Sequence, residues 1–128
     1  MRDEARGLSQ GETGDQLVEA KIYKVADITP KKLHEGCLTR LVAGRNALIS
    51  FLHIEPHTFF PLHQHSQEQL MIVVEGEIEE IVEDNTHLLK KGNVIVLPSN
   101  IEHGGRTLDS SCEIIDIFSP PREDYLRL

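Results

Sequence analysis

The chain alternates between short apolar segments and clusters of turn residues. Gly, Pro, Asn and Asp separate the apolar segments, which follow one another about every 8–12 residues. The segments rich in Leu, Ile and Val stand at 17–25, 37–44, 47–56, 69–76, 77–85, 86–93, 94–98 and 112–121. Strands of this length and spacing predict an all-β sandwich or barrel. Sustained helical periodicity is absent, and a short helix remains open only at the terminal PREDYLRL.

Two regions of the chain differ in composition and in hydrophobic periodicity. Residues 1–16 are polar, contain glycine and lack periodicity, so we expect a flexible N-terminal tail. Residues 17–128 carry the apolar segments, and their number suits a single domain with one hydrophobic core.

The charge and composition of the chain argue against some classes of binding partner. The 13 Lys and Arg residues against 21 Asp and Glu residues give a net charge of −8, with no basic cluster. Nucleic acid and anionic membranes are therefore excluded as expected partners. No apolar run approaches membrane-spanning length, and no signal peptide is visible. Cys37 and Cys112 form no metal or redox motif, so we expect buried free thiols and a cytoplasmic protein.

The stretch PLHQHSQEQLMIVVEG places two histidines one residue apart. In a strand, alternate side chains share a face, so His63 and His65 are expected to project together. Gln69 opens the following strand, and His103 follows a buried strand that ends at a proline. Three imidazoles and one amide oxygen make a site for a divalent Fe, Mn, Ni, Co or Zn ion, with positions left open for water or substrate.

Two neighbouring side chains compete for the fourth ligand position. Strand alternation places Gln69 on the side of His65 and Glu68 on the opposite side, which favours Gln69. A neutral Gln leaves the full metal charge to act on a bound oxyanion, whereas a Glu would neutralise one unit. Met71 and Val73 share the parity of Gln69 and are expected to form the wall beneath the site.

The last apolar segment, CEIIDIFSPPRED, places an acid inside a strand that is apolar on both faces. Burying a carboxylate is costly unless it is paired, so Asp116 is either held by a neighbouring cation or backbone N–H groups, or acts as a general acid/base facing the metal. Arg122 is either a surface residue or a clamp for a substrate carboxylate. Ile115 and Ile117 point outward from the same strand and predict a homodimer.

The histidine stretch resembles the first motif of the cupin family, G-x5-H-x-H-x3/4-E-x6-G. His63, His65, Gln69 and Gly76 fit its spacing, with Gln in the Glu position. His57 stands where the family has its leading glycine.

A second cupin motif, G-x5-P-x-G-x2-H-x3-N, matches the segment that ends at His103. Gly92 and Pro98 fit it, Asn100 replaces a glycine, and Thr107 replaces the final Asn. Asn also adopts left-handed backbone, so its presence is tolerable. The resemblance implies a small single-domain cupin of the RmlC-like type, an antiparallel jelly-roll β-barrel that is usually dimeric.

Together with the C-terminal segment, the histidine stretch also resembles the KdgF-like small cupins of pectin and alginate breakdown. This group linearises 4,5-unsaturated uronates, and the resemblance implies metal ligands at His63, His65, Gln69 and His103. It also implies that Asp116, Phe118 and Arg122 line the active site. The expected function is a metal-dependent isomerase of a small anionic sugar. An Fe- or Mn-dependent dioxygenase and a non-catalytic binding module remain open.

Overall fold

The computed structural model describes residues 19–128, and the expected tail at 1–16 lies outside them. Ten strands account for most of the described chain. In chain order they are β1 (Lys31–His34), β2 (Cys37–Ala43), β3 (Leu48–Ile54), β4 (Phe59–His63), β5 (Glu68–Glu75), β6 (Glu77–Val82), β7 (Asn85–Lys90), β8 (Val94–Leu97), β9 (His103–Thr107) and β10 (Cys112–Ser119). A single-turn helix, α1 (Glu123–Leu126), follows the last strand.

The strands form two antiparallel sheets. The larger sheet has the order β1-β2-β3-β10-β5-β8, and the smaller has the order β4-β9-β6-β7. Every pairing between neighbouring strands is antiparallel. No strand pairing joins the two sheets within residues 19–128, so the jelly roll has the form of a two-sheet sandwich. The all-β prediction is confirmed.

The core lies between the sheets and follows from strand alternation. In β3 and β10 every second residue is buried, because alternate side chains point to opposite faces of a strand. Burying one such aliphatic side chain contributes about 1.5–3 kcal/mol. The buried cluster joins residues from both sheets: Cys37, Leu52, Ile54, Met71, Val73, Ile78, Cys112 and Ile114.

The two cysteines are free and buried, as expected. Burial raises the pKa of the Cys37 thiol to about 12 and that of Cys112 to about 11, and nearby carboxyl groups add to both shifts. Both thiols therefore act as small apolar core groups and not as nucleophiles.

The structure corrects the sequence pattern at four places. The predicted strand at 17–25 is wrong, since residues 19–24 form no strand and a 3-10 turn covers Val25–Asp27. Strands β1 and β9 were not predicted, because their lysines and paired glycines are weak strand formers. A strand was expected at His63 and His65, but β4 begins earlier, at Phe59, and ends at His63. The described residues include no helix long and apolar enough to cross a membrane.

Two residues take left-handed backbone where the cupin motifs have glycine. Asn100 has φ 65° and His57 has φ 57°. The chain has therefore kept the glycine conformation at both positions while replacing the glycine itself. Non-glycine residues reach this region at a cost, which is smaller for Asn than for most others.

Candidate metal centre

Four side chains from separate segments meet at one end of the sandwich. His63 ends β4 and pairs with His103, the first residue of β9. Gln69 lies in β5, next to Leu97 on one side and Phe118 on the other.

His65 reaches the cluster by a different route from the one its spacing suggested. It lies in the loop after β4, so strand alternation does not place it beside His63. The loop nevertheless turns its ring inward. The ring centroids of His63 and His65 lie 5.7 Å apart, and those of His63 and His103 lie 4.4 Å apart. The ligand-type nitrogens of the three histidines all lie within 4.8 Å of one another.

Main-chain carbonyls orient all three rings. Nδ1 of His63 bonds to the Pro61 carbonyl at 3.0 Å, and Nδ1 of His103 bonds to the Ile101 carbonyl at 2.9 Å. Nδ1 of His65 bonds to the carbonyl of Gln67 at 3.0 Å. A carbonyl only accepts, so each Nδ1 carries the proton and each neutral ring keeps its Nε2 lone pair. This is how proteins commonly orient metal-ligating histidines.

The free lone pairs fit a cation. His103 is 3% exposed, and its Nε2 has no hydrogen-bond partner. Nε2 of His65 faces Oε1 of Gln69 at 3.1 Å, although both atoms are acceptors. Nδ1 of His65 donates to the Gln67 carbonyl, so the Nε2 lone pair of the neutral ring is the one that faces the Gln69 oxygen. A metal ion is the group that satisfies several converging lone pairs at once.

Of the two candidates for the amide or carboxylate position, Gln69 is the buried one. Its side chain is 4% exposed and faces the histidines, whereas Glu68 is exposed.

Burial favours the neutral form of two of the imidazoles, those of His65 and His103. Desolvation lowers the pKa of His103 to about 4, and neighbouring positive charge adds to the effect. Desolvation also lowers the pKa of His65, helped by the Arg122 guanidinium. A metal binds the neutral ring, so both shifts favour ligation at neutral pH.

A cavity opens beside the cluster, between the two sheets. Its volume is about 70 Å³, and His63, Gln69 and His103 form part of its wall. Asp116 also lines it, is 5% exposed, and has no hydrogen-bond partner for Oδ1. Burial raises the pKa of Asp116 to about 7, although the Gln69 amide and the Arg122 guanidinium oppose the shift. A carboxyl group with this pKa exchanges protons readily at neutral pH.

Two aromatic side chains and one cationic side chain line one side of this cavity: Phe118, Tyr125 and Arg122. Phe118 is buried and packs edge-on against His65, with ring centroids 5.6 Å apart. The guanidinium of Arg122 lies 5.2 Å from the Phe118 ring centroid and 4.1 Å from that of Tyr125.

Arg122 already holds a carboxylate. Its Nη2 and Nε donate to the two oxygens of Asp124 at 2.8 and 3.2 Å. Its Nη1 donates to the Tyr125 hydroxyl at 3.3 Å. The bidentate edge that a substrate carboxylate would use is thus occupied by the chain itself.

Two residues of the cavity wall were not identified from the sequence, Glu80 and Tyr125. For Glu80 a signal existed: it shares the strand parity of the buried Ile78 in β6, which places a carboxyl inward. Tyr125 stands three residues after Arg122, but only the course of α1 brings it over the cavity.

Comparison with known proteins agrees with this geometry. A family model described as a cupin domain matches residues 50–118. The pectin degradation protein KdgF of Dickeya dadantii is 28% identical over 107 residues, which make up 81% of this chain and 97% of that protein.

Two solved structures show the same fold. KdgF from Halomonas sp. matches with a TM-score of 0.79 at 22% identity, over 84% of this chain and 99% of that one. The polyketide cyclase RemF from Streptomyces resistomycificus matches with a TM-score of 0.74 at 18% identity, over 82% of each chain. Proteins described by different activities thus share this architecture, and the reaction has to be argued from the site. The family model covers more than half of the chain and the topology agrees with it, so the chain belongs to the cupin family.

Proposed function

We propose that this cupin is a metal-dependent isomerase that opens the ring of a small 4,5-unsaturated uronate. The observation that carries the proposal is the convergence of three imidazoles and one amide oxygen beside a cavity that the buried carboxyl of Asp116 also lines. The likeness to KdgF, described as a pectin degradation protein, supports the choice of substrate class.

In this proposal His63, His65, Gln69 and His103 hold one divalent ion. The ion supplies Lewis acidity toward the substrate oxygens, and the neutral Gln ligand leaves its charge undiminished. The donor set suits Zn, Ni, Mn, Fe or Co, and nothing in it selects among them.

Asp116 is assigned the proton transfers. Ring opening breaks the bond between the anomeric carbon and the ring oxygen. The anomeric hydroxyl loses its proton and becomes an aldehyde, the ring oxygen becomes a ketone, and the adjacent alkene carbon gains a proton. A carboxyl with a pKa of about 7 can take the first proton and return it to carbon.

Arg122 and Phe118 are assigned to binding. The guanidinium places positive charge beside the cavity of a chain whose net charge is −8. Charges more than about 10 Å away are screened at ordinary ionic strength, so the attraction for an anion is local. Because Asp124 already pairs with Arg122, the metal ion supplies the larger part of it. Phe118 offers an apolar ring against the face of the sugar.

The test uses the purified, metal-loaded protein and 4,5-unsaturated galacturonate. Loss of the ultraviolet absorbance of the enol ether should be faster than in buffer. Asp116→Asn should abolish turnover and leave the metal content nearly unchanged. An unchanged rate with metal confirmed bound would refute the proposal, and oxygen uptake during turnover would indicate a dioxygenase instead.

We further propose that the protein forms a homodimer through the outer face of its six-stranded sheet. Five strands contribute a continuous apolar row on this face, in pairing order Val42, Ile49, Ile117, Leu70 and Val96. Val94 and Val96, on the edge strand β8, are 55% and 54% exposed. An apolar patch of this extent is typical of a self-complementary interface.

Light scattering tests the dimer. Val96→Lys should halve the molar mass, because it places a charge in the patch. Leu88→Lys, at an exposed position of β7 in the other sheet, should leave the mass unchanged. A wild-type mass equal to one chain would refute the dimer.

The buried free thiols suit a reducing compartment, so we propose a cytoplasmic location.

A further inference from the structure

The cavity contains a second buried acid that the proposed reaction does not use. Glu80 lies in β6, in the four-stranded sheet, whereas Asp116 lies in β10, in the other sheet. Both line the cavity, and the side chain of Glu80 is 2% exposed. Two carboxyl groups therefore reach the same space from opposite walls.

The fold makes room for the Glu80 side chain. Gly105, its pairing partner in β9, has no Cβ. A Cβ built there would lie 2.8 Å from Oε1 of Glu80 and 2.8 Å from the carbonyl oxygen of Glu79. Any other residue at position 105 would displace the carboxyl group or the strand.

No stabilising ion pair accounts for the burial of the Glu80 carboxyl group. No ion pair within residues 19–128 includes Glu80, whereas its neighbour Glu79 pairs with Arg106 at 2.6 Å. Desolvation and the facing Asp116 raise the pKa of Glu80 to about 9. A neutral carboxyl both donates and accepts a hydrogen bond, which suits a hydroxyl group.

We propose that Glu80 is a specificity-determining residue, whose carboxyl group binds one ring hydroxyl of the sugar acid from the wall opposite Asp116. The inference rests on the proposed function for the class of ligand. Oδ1 of Asp116 is buried without a protein hydrogen-bond partner and lines the same cavity as Glu80. A sugar acid that lies between the two sheets presents its hydroxyls to both walls.

The test measures binding first and turnover second. Calorimetry on metal-loaded protein gives the Kd for saturated galacturonate, and kinetics follow with two 4,5-unsaturated uronates that differ in the configuration of one ring hydroxyl. Glu80→Leu should raise the Kd about tenfold or more, because a buried hydroxyl loses its partner. It should also bring the KM ratio of the two epimers toward one, with kcat changed less than KM.

Two further variants complete the design. Glu80→Gln keeps a donor and an acceptor and should stay within about threefold of the wild-type Kd, since the shape is preserved. Glu79→Gln changes an acid on the opposite face of the same strand and should leave Kd and the KM ratio unchanged.

The outcomes separate the two proposals. A wild type that turns over unsaturated uronates, with a Glu80→Leu variant that keeps its Kd and epimer preference, overturns the role of Glu80 alone. A Glu80→Leu variant that loses metal or thermal stability, with kcat and KM changing alike for both epimers, also overturns it. Galacturonate binding that depends on Glu80, without turnover, refutes the isomerase and supports the recognition role. Neither binding nor turnover refutes both.

Discussion

Nε2 of His65 and Oε1 of Gln69 face each other at 3.1 Å, and neither atom carries a hydrogen to donate. The Nδ1 proton of His65 is donated to the Gln67 carbonyl, which leaves the Nε2 lone pair of the neutral ring facing the Gln69 oxygen. Two facing acceptors repel each other, and a cation bound between them would reverse that repulsion. In the proposed site, Gln69 therefore belongs to the same arrangement that orients His65.

Substitution of Gln69 tests this arrangement. Gln69→Leu should weaken metal binding by about 10–100-fold or more, the range that loss of an orienting partner already costs. Gln69→Glu should retain the metal but lower kcat about tenfold or more, because the carboxylate neutralises one charge of the ion. Elemental analysis and steady-state kinetics check both.

The adjacent acid supplies the control for Gln69. Glu68→Gln removes an exposed carboxylate one residue away and should change neither metal content nor kcat. Loss of metal in this variant would show that Glu68 takes part in binding.

The two cavity acids predict how stability depends on pH. Glu80 and Asp116 have pKa values raised in the folded protein, to about 9 and about 7. A raised carboxyl pKa means that the folded state holds its proton more tightly than the unfolded state. The stability this contributes is complete below the unfolded pKa near 4 and is lost as pH rises through the folded pKa.

Unfolding of the metal-free protein by urea measures this dependence. The free energy of unfolding should fall from pH 7 to pH 9, above the range in which the lowered pKa values of His65 and His103 make stability rise with pH. Glu80→Gln removes one titrating group, so its stability relative to wild type should increase by up to about 1 kcal/mol for each pH unit in this range. Parallel pH profiles for the wild type and the variant would contradict the assigned shift.

Two glycines with the same backbone conformation should respond differently to alanine. Gly76 has φ 81° and Gly92 has φ 90°. A Cβ at Gly76 would clash with the Ser111 carbonyl oxygen, whereas one at Gly92 would meet nothing within 4 Å. Gly92→Ala should cost about 1 kcal/mol for the left-handed conformation alone, and Gly76→Ala about 3 kcal/mol, because packing strain adds to it. Equal losses in chemical denaturation would contradict the clash.

Returning glycine to the cupin position at His57 should stabilise the protein. The left-handed backbone costs a non-glycine residue about 1 kcal/mol, and Gly removes that cost. The exposed contact to Asp109 at 3.2 Å contributes little, since exposed ion pairs are weak. His57→Gly should raise the thermal midpoint, and His87→Gly, in the exposed strand β7, should lower it. A lower midpoint for His57→Gly would show that the imidazole has a structural role.

Strand alternation predicted the burial of side chains best where a strand was regular. It placed Gln69 on the side opposite Glu68, and it placed Met71 and Val73 in the core, where the structure has them buried. The same parity applied to Glu80 would have added the second cavity acid.

Strand alternation could not predict side-chain directions where the chain departs from a regular strand. His65 is turned inward by a loop, and β9 begins His-Gly-Gly, a sequence with little strand propensity. The strand at β9 exists because β4 and β6 pair with it on either side. A short helix was left open at PREDYLRL, where α1 lies, but the contact between Arg122 and Asp124 depends on the path of the chain there, which the pattern does not specify.

The carbonyl groups that hold the three imidazoles belong to the backbone, two positions along the chain from each ring. Their placement depends on the path of the peptide and not on the identity of Pro61, Gln67 or Ile101. Mutations can therefore change the residues that line the cavity, and with them the ligands that fit, while the imidazole rings keep their orientation. This independence offers a physical reason why one architecture serves proteins with unrelated chemistry.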